Sequence, residues 1–463
     1  MFVQTITAHR SPTLKEPHPS IAAGNGARMG FFLFLMVNAL LFIRPGDMYP
    51  ALRALHLYEL SMLGCLAICL PWMLPQFKTA SLRARPITAC ILCVLVFVVI
   101  TPLYRGYMGL FTEYAPEFAK MVLYYLVLTV IIRDVKHLKW FLLFMAGCIA
   151  IVGLIPVLAH HGYVQFESVQ AIMDVKTDAQ TGKMVRFERL QGVGIFADPN
   201  DLAQILGVGI ILCLYATQLA QSWLRRGLWA LPILVMLYGI YLSQSRGGLM
   251  GFGVGLLVLF VTRYGWKKSV ILIALALPAI MVFSGRQTSM STEEGSAQSR
   301  VQLWADAIEA VKTSPIMGVG AGAMGDFYMT QVAHNTFLHM LGELGLIGGT
   351  AFMGAYWVAT WGLVRLKPSK SVIDSDLRTM RPFLGAAIAT YAMGMMSLSR
   401  GYALPTYTLL GLTTVFLGLV KTRPEIPALR LDRSFIKQIV IVTLVFLFAM
   451  HLFVAANVRW SGS

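Results

Sequence analysis

Residues 90–100 have the sequence CILCVLVFVVI, a run that contains no Asp, Glu, Lys or Arg. The surrounding apolar segment covers about residues 86–103, which approaches the roughly 20 apolar residues that a helix needs to cross a bilayer. Residues 439–454 form a second run without these charged residues near the end of the chain. Such segments predict membrane-spanning helices.

The composition of the whole chain extends this prediction to the rest of the sequence. Of 463 residues, 57% are hydrophobic and only 13% are charged, whereas a soluble domain carries about 25% charged residues. These values exclude a soluble globular protein. The predicted fold class is all-α, a polytopic membrane protein with a single integral membrane domain over residues 1–463.

Thirteen apolar segments of the chain are candidate spans. The first is bracketed closely by Arg28 and Arg44, so the prediction is twelve or thirteen spans. They cover residues 27–43, 57–75, 86–103, 116–132, 138–158, 199–220, 227–243, 247–263, 268–284, 336–363, 382–398, 403–420 and 437–457.

The basic residues predict how these spans are oriented. With the N-terminus inside, the inner segments hold 24 of the 38 Lys and Arg residues and 6 of the 22 acids, and the outer segments hold the remaining 14 bases and 16 acids. The net charge is then +18 inside and −2 outside, as expected from the enrichment of Lys and Arg in short cytoplasmic loops. Basic clusters beside a membrane suit contact with anionic lipid. Because no basic stripe with interleaved aromatics is present, we predict no nucleic-acid partner.

Two outer segments are much longer than the others, at residues 159–198 and 285–335. Long segments outside the spans of a compact protein tend to be functional. In the second, Val301, Trp304 and Ile308 recur at helical spacing with polar residues between them. This pattern predicts a short amphipathic helix, which Ser314-Pro315 and the glycines that follow would end.

Ten of the 14 outer bases are arginines, and several lie within a few residues of a predicted membrane boundary. Two interpretations remain open for each of them. An arginine can pair with a nearby acid, as Arg189 could with Glu188 or Asp198. Alternatively, several arginines converge on an anion, since the guanidinium group offers paired planar donors to phosphate and keeps its charge when desolvated.

Two local motifs mark the outer ends of spans. In residues 194–201 (GIFADPND), Pro199 fits the first helical turn and Asp198 fits the N-cap, which predicts a helix start. Residues 243–248 (SQSRGG) predict a tight turn, and Gly247, Gly251 and Gly255 give the next helix a smooth face for close packing. Neither feature explains Arg246, and an arginine at this depth is a functional-site hypothesis.

A third motif covers residues 334–349 (HNTFLHMLGELGLIGG), where the second long outer segment enters a span. His334 and His339 are five residues apart, about 140° around a helix, so they are not predicted to share a metal. The six cysteines all fall in apolar spans and fit small hydrophobic residues better than metal ligands. We therefore predict no metal site and no cofactor. His334 is a candidate general base because a neutral imidazole accepts a proton near pH 7.

Four segments together resemble the O-antigen ligase and O-antigen polymerase superfamily of bacterial inner-membrane glycosyltransferases, and O-antigen ligase most closely. The resemblance is strong over about residues 190–350, and the other spans share only hydropathy. The segments are residues 192–203 (GVGIFADPNDLA), 243–248, 300–322 (RVQLWADAIEAVKTSPIMGVGAG) and 334–349.

The resemblance implies a fold and a reaction. The fold would be a GT-C-like membrane architecture whose cavity opens to the periplasm, with 159–198 as a periplasmic loop and 285–335 as a large periplasmic catalytic loop carrying short helices. The reaction would transfer a glycan from undecaprenyl pyrophosphate to an acceptor sugar with inversion and without metal or nucleotide. The implied site residues are His334 as the catalytic base and Arg246, Arg300, Arg189, Arg186, Arg286 and Asn335 as pyrophosphate or substrate ligands.

Several functions remain open within and outside this superfamily. We favour a ligase that attaches polysaccharide to the lipid A-core, with the lipid-linked glycan, the lipid A-core and membrane lipids as partners. The alternatives are a polymerase of lipid-linked repeat units and a protein O-oligosaccharyltransferase. A lipid-linked oligosaccharide flippase is less favoured, because the sequence lacks internal inverted repeats, although Glu59 and Glu343 lie within predicted spans.

Overall fold

The computed structural model describes residues 25–166, 168–169, 172–177, 184–270, 295–327, 332–366 and 371–458. Within these residues nearly all of the regular secondary structure is helical, which confirms the predicted all-α class. The predicted span at 268–284 lies outside the described residues from position 271 onward. Each of the other twelve predicted spans coincides with a helix.

The helices differ widely in length. The first eleven are α1 (Asn25–Ile43), α2 (Pro45–Met48), α3 (Pro50–Arg53), α4 (Leu57–Met73), α5 (Thr79–Ala84), α6 (Pro86–Tyr104), α7 (Met108–Ile131), α8 (Val135–His160), α9 (Pro199–Leu219), α10 (Trp223–Ser243) and α11 (Arg246–Tyr264). The remaining ones are α12 (Gly295–Thr313), α13 (Met324–Phe327), α14 (Thr336–Arg365), α15 (Ser375–Gly394), α16 (Leu404–Leu419) and α17 (Arg433–Asn457). Short 3₁₀ helices occur at Leu74–Phe77 and Gly194–Phe196.

Eight helical segments in the described part of the chain are long and apolar enough to cross a membrane. The protein is therefore a multi-pass membrane protein. Arg28–Ile43 and Leu404–Leu419 are apolar but shorter. The short length of the first agrees with the close bracketing of that predicted span by Arg28 and Arg44. The eight segments are Ala51–Phe77, Pro86–Tyr104, Met108–Ile131, Val135–His160, Pro199–Leu219, Trp223–Ser243, Arg246–Tyr264 and Arg433–Asn457.

One β-hairpin interrupts the helical fold between α8 and α9. Strand β1 (Ile172–Thr177) pairs antiparallel with β2 (Met184–Arg189), with Ile172 opposite Arg189. The hairpin was not predicted from the sequence. It is tied to the helices where Leu190 N donates to Leu242 O over 3.2 Å, so β2 ends beside the C-terminal end of α10.

Helix α9 forms the centre of the bundle and packs against α8, α10, α11 and α15. Most of its residues are buried, including the polar side chain of Gln204, which donates to Tyr391 O over 2.8 Å. The connections from α9 to α10 and from α10 to α11 are only a few residues long, so these three helices reverse direction one after another. The start of α9, the end of α10 and the start of α11 therefore lie at the same end of the bundle.

The glycine face predicted for α11 is confirmed by its contact with α15. A Cβ atom on Gly251 would lie 2.8 Å from Thr390 O, and one on Gly255 would lie 3.0 Å from Ala386 O and would also clash with the Thr390 side chain. Gly253, on the same helix, has nothing within 4 Å of its Cβ position. Only glycine at 251 and 255 allows the two backbones to approach this closely.

We expect Gly255→Leu to force α11 away from α15. Overpacking of this kind costs about 1–3 kcal/mol, so the melting temperature of the purified protein should fall measurably. Gly253→Leu is the matched control, because the same side chain there points into open space, and it should melt near the wild-type temperature. Equal melting temperatures for the two variants would contradict the close packing of α11 on α15.

Helix α14 is interrupted at Gly345, whose φ of 67° lies in the left-handed region. The segment after α12 crosses α14 at this break. Leu346 N donates to Pro315 O over 2.7 Å, and Val319 N and Gly320 N donate to Gly342 O and Glu343 O over 2.9 and 3.0 Å. These bonds replace the interrupted helical bonds and fix α12 against α14. As predicted, α12 ends directly before Ser314-Pro315.

Candidate active site

The start of α9 is a polar junction between the hairpin and two helices. As predicted, Asp198 caps the helix and accepts from Asn200 N over 2.6 Å, and Pro199 is the first helical residue. The side-chain oxygen of Asn200 accepts from Arg189 Nη2 over 3.1 Å and from Ser245 Oγ over 2.8 Å. This single amide therefore holds β2, α9 and the α10–α11 turn together.

The turn between α10 and α11 places Arg246 at this junction. Gln244 adopts a left-handed conformation with φ of 53°, and Ser245 caps α11 by accepting from Gly248 N over 3.1 Å. Arg189 Nε donates to Ser243 O over 3.0 Å. Two nitrogens of Arg189 thus hold the loops together, and Arg246, the first residue of α11, lies at the same end of the bundle.

Helix α12 brings Arg300 to the same place. Arg300 is partly buried, and burial lowers the pKa of its guanidinium, with the positive charges of Arg189 and Arg246 lowering the pKa further and Asp198 opposing them. Arg300 therefore lies close enough to both Arg189 and Arg246 to be repelled by them. These three residues are called here the arginine cluster. An arginine stays charged even when it is desolvated, so the cluster is a concentration of positive charge suited to an anion.

His334 lies beside this cluster in a strained backbone conformation, with φ of 46°. Burial lowers the pKa of its imidazole from the usual 6.5, and Arg300 lowers the pKa further. Arg400 and His339 act in the same direction, and Asp198 opposes them. His334 is consequently neutral at pH 7. A non-glycine residue held in the left-handed region costs energy and is found preferentially at functional sites.

Asn335 is fully buried and caps α14. Its side-chain oxygen accepts from Phe337 N and Leu338 N over 3.1 and 3.3 Å, whereas Nδ2 has no hydrogen-bond partner in the described part of the chain. The geometry supports a capping role that orients the residue before it, His334. Direct contact between Asn335 and a substrate stays a prediction.

We expect Asn335→Ala to destabilise the start of α14 by about 0.5–2 kcal/mol through loss of the cap. Asn335→Ser keeps a neutral capping oxygen and should unfold closer to the wild-type temperature than Asn335→Ala. Thermal unfolding of both variants tests the capping role, and equal destabilisation by Ala and Ser would contradict it. Transfer assays on the Ser variant would separately show whether the Nδ2 group is needed for transfer.

One predicted arginine ligand, Arg186, is not brought to the cluster. Arg186 is exposed on β2, and it is three residues from Arg189, so the two side chains leave opposite faces of the strand. Arg286 lies outside the described residues. No group of three or more His, Cys, Asp and Glu side chains that could hold a metal ion is found within the described part of the chain.

An ion pair that the sequence did not predict borders the site. Arg400, in the loop before α16, binds Asp201 of α9 through two nitrogens. The backbone of Arg400 donates to Thr336 Oγ1 over 2.9 Å, two residues after His334. The partners are 199 residues apart in the chain, so no local pattern connects them.

A second buried polar group lies one turn further into α14. His339 Nε2 is 2.9 Å from Glu343 Oε1, and Glu343 Oε2 accepts from Tyr402 Oη over 2.7 Å. All three side chains contact one another in the interior, where Tyr402 also stacks edge-on against His339. His339 is thus turned to Glu343.

The segment that carries Arg246, Arg300 and His334 has a recognisable family relationship. Residues 231–353 match the O-antigen ligase family. The match confirms the predicted resemblance to this superfamily and supports a function of O-antigen ligase or polymerase type, with a lipid-linked glycan and an acceptor as general substrate classes. Arg189 and Asp198 precede the matched O-antigen ligase segment in the chain, and the fold places both of them near Arg300 of that segment. The chain matches no curated protein sequence.

Proposed function

We propose that the protein is an O-antigen ligase of the bacterial inner membrane. It transfers polysaccharide from undecaprenyl pyrophosphate to a sugar hydroxyl of the lipid A-core on the periplasmic side, with inversion at the anomeric carbon. The observation that carries the proposal is the placement of His334 beside the arginine cluster at one end of the bundle. His334, Arg246 and Arg300 lie inside the segment matched to the O-antigen ligase family, and Arg189 precedes it.

The arginine cluster stabilises the negative charge that develops on the leaving pyrophosphate. As the bond between the anomeric carbon and the pyrophosphate oxygen breaks, its electron pair moves to that oxygen and negative charge grows there. Preorganised donors at such a position contribute about 3 kcal/mol each to the transition state. Arg300 and Arg246 are the proposed pyrophosphate ligands. Arg189 supports them, because two of its nitrogens are bonded to Ser243 and Asn200.

His334 deprotonates the attacking hydroxyl group of the acceptor. A neutral imidazole accepts the proton of the acceptor hydroxyl while its oxygen forms the new bond to the anomeric carbon. The lowered pKa of His334 keeps this acceptor available at neutral pH. With the base on one side of the anomeric carbon and the arginines on the other, the hydroxyl attacks opposite the leaving pyrophosphate, which inverts the configuration.

The charge distribution supports a periplasmic site. The start of α9, the end of α10 and the start of α11 meet at the end of the bundle that the positive-inside rule assigns to the outer face. A GT-C-like architecture remains part of the proposal. A polymerase would use the same chemistry with a second lipid-linked glycan as acceptor, so the acceptor decides between the two functions.

Reconstitution of the purified protein tests the proposal. We expect membranes containing the protein, undecaprenyl-pyrophosphate-linked polysaccharide and lipid A-core to form polysaccharide-bearing core. Because the proposed mechanism places the positive charge on arginines, transfer should persist in excess EDTA. Transfer to a second lipid-linked repeat unit, and none to lipid A-core, would show a polymerase instead.

The pKa of His334 predicts the pH dependence of transfer. A base works only when deprotonated, so kcat/KM should fall as the pH drops through the pKa of His334 in the free enzyme. Since burial and Arg300 lower this pKa, the acid limb should lie below the 6.5 of ordinary imidazole. Arg300→Gln should move the limb upward, measured on its residual activity. A limb above pH 7 would contradict the assignment.

A further inference from the structure

The proposed reaction requires groups from distant parts of the chain to keep a fixed spacing. His334 directly precedes the start of α14, whereas Arg189 and the turn before Arg246 are both bonded to Asn200 of α9. In an inverting displacement the base and the leaving group act on opposite sides of one carbon atom. A misplacement of about 1 Å can cost about a hundredfold in rate. A contact that joins α9 to α14 therefore affects the reaction without touching a substrate.

Asp201 lies in the first turn of α9, directly after the residue that holds the arginine side of the site. Asn200 accepts from Arg189 Nη2 over 3.1 Å and from Ser245 Oγ over 2.8 Å. The next residue, Asp201, is buried, and its two carboxylate oxygens accept from Nε and Nη2 of Arg400. This turn of α9 is therefore bonded to the arginine cluster on one side and to Arg400 on the other.

Arg400 belongs to the loop between α15 and α16, and this loop is bonded to the start of α14. Thr336, the first residue of α14, donates its N–H to Met395 O over 2.8 Å and its hydroxyl to Leu398 O over 2.6 Å. The same hydroxyl accepts from Arg400 N over 2.9 Å. Thr336 is fully buried and lies two residues after His334. The loop thus fixes the backbone that carries His334.

The loop is also bonded to α16, which restricts its movement. Arg400 O accepts from Thr406 Oγ1 over 2.7 Å, and Gly401 O accepts from Tyr407 Oη over 2.6 Å. Thr406 and Tyr407 are both fully buried. Because the loop is held by two helices, the bonds between Arg400 and Asp201 set the position of α9 relative to α14.

We propose that Asp201 and Arg400 are positioning residues that set the spacing between His334 and the arginine cluster. The two parallel bonds between a guanidinium and a carboxylate define an orientation as well as a distance, which suits this role. The inference rests on the proposed transfer reaction and assigns neither residue a contact with a substrate.

Single-turnover transfer by Arg400→Gln tests the proposal, with undecaprenyl-pyrophosphate-linked polysaccharide as donor and lipid A-core as acceptor. We expect the rate constant to fall about tenfold to a hundredfold, while the amplitude, which reports the folded fraction, stays near wild type. A lower amplitude with an unchanged rate constant would show a purely structural role and overturn the proposal. Arg400→Lys keeps the charge without the paired planar donors, so full recovery of the rate constant by Lys would also overturn it.

Asp376→Asn is the matched control, because it breaks another ion pair between residues distant in the chain. Lys139 Nζ of α8 lies 3.2 and 3.3 Å from the two carboxylate oxygens of Asp376. Asp376 is near the start of α15, at the opposite end of that helix from the loop that carries Arg400. Its single-turnover rate constant should stay within about twofold of wild type.

A double-mutant cycle separates positioning from direct contact with a substrate. If Arg400 acts through His334, Arg400→Gln should lower the rate constant much less in the His334→Asn protein than in the wild type. Equal losses in the two backgrounds would show that Arg400 acts independently of His334, for example by binding the pyrophosphate itself, and would overturn the proposal.

Thr336→Val tests the same connection from the side of α14 and leaves the buried ion pair intact. It removes the hydroxyl that bonds Arg400 N and Leu398 O, so the rate constant should fall. Thr413→Val is its control, since the equally buried hydroxyl of Thr413 donates to Leu409 O one turn earlier in α16. Equal rate constants for the two variants would contradict the positioning of His334 by this loop.

Amide hydrogen exchange measures the connection between α9 and α14 without any substrate. In Arg400→Gln we expect faster exchange than in wild type in peptides that cover residues 199–203 and 334–340. Unchanged exchange in both peptides would overturn the positioning role. Faster exchange in the variant, together with a wild-type protein that transfers no glycan, would instead overturn the proposed function.

Discussion

Replacement of His334 by Asn should lower kcat for glycan transfer by about 10²–10⁴-fold, the usual contribution of a general base. Asn is the informative substitution because it tolerates the left-handed backbone of His334, whose φ is 46°. The variant should therefore fold and bind donor normally while lacking a group that accepts a proton near pH 7. Single-turnover transfer in reconstituted membranes measures this loss directly.

His56 supplies an unusually close control. It has a φ of 45° and is exposed at the start of α4, so His56→Asn makes the same chemical change in the same backbone geometry away from the arginine cluster. Its kcat should remain near wild type. Normal transfer by His334→Asn would exclude His334 as the base.

The second large effect is expected at Arg300. Arg300→Gln should lower kcat by about 10²–10³-fold, as observed when one preorganised donor to a developing anion is removed. The partial burial of Arg300 strengthens its interaction with a bound anion relative to an exposed charge. Arg300→Lys should recover only part of the activity, because an ammonium group lacks the planar paired donors of guanidinium.

Arg225→Gln is the control for Arg300→Gln, since Arg225 is exposed near the start of α10 at the opposite end of that helix from the arginine cluster. The glycan-transfer assay with both variants should separate a site-specific loss from a general effect of removing positive charge. If Arg300→Gln transfers as well as Arg225→Gln, the pyrophosphate is bound elsewhere.

Local sequence patterns predicted those parts of the fold that depend on neighbouring residues. Asp198 and Pro199 define the start of α9, Ser314-Pro315 ends α12, and the spacing of Gly251 and Gly255 creates the packing face of α11. Each of these features follows from a backbone preference or from helical periodicity. These features can therefore be predicted from a single sequence.

Features that depend on tertiary packing were not predicted. The Arg400–Asp201 pair joins loops from distant parts of the chain, and the break of α14 at Gly345 is set by the segment from Pro315 that crosses it. The β-hairpin beside α9 was likewise missed. The sequence did identify Arg189, Arg246, Arg300 and His334 as candidates, but their proximity is a consequence of packing.

In the proposed function, this protein attaches the finished polysaccharide to lipid A-core. The most direct measurement is a gel of envelope polysaccharide from cells lacking the protein, with the lipid-linked pool analysed from the same cells. We predict bare core together with long chains retained on the undecaprenyl carrier, both reversed when the wild-type protein is restored. Core bearing a single repeat unit would contradict the claim, because it would show that chain growth had failed and that the protein is a polymerase.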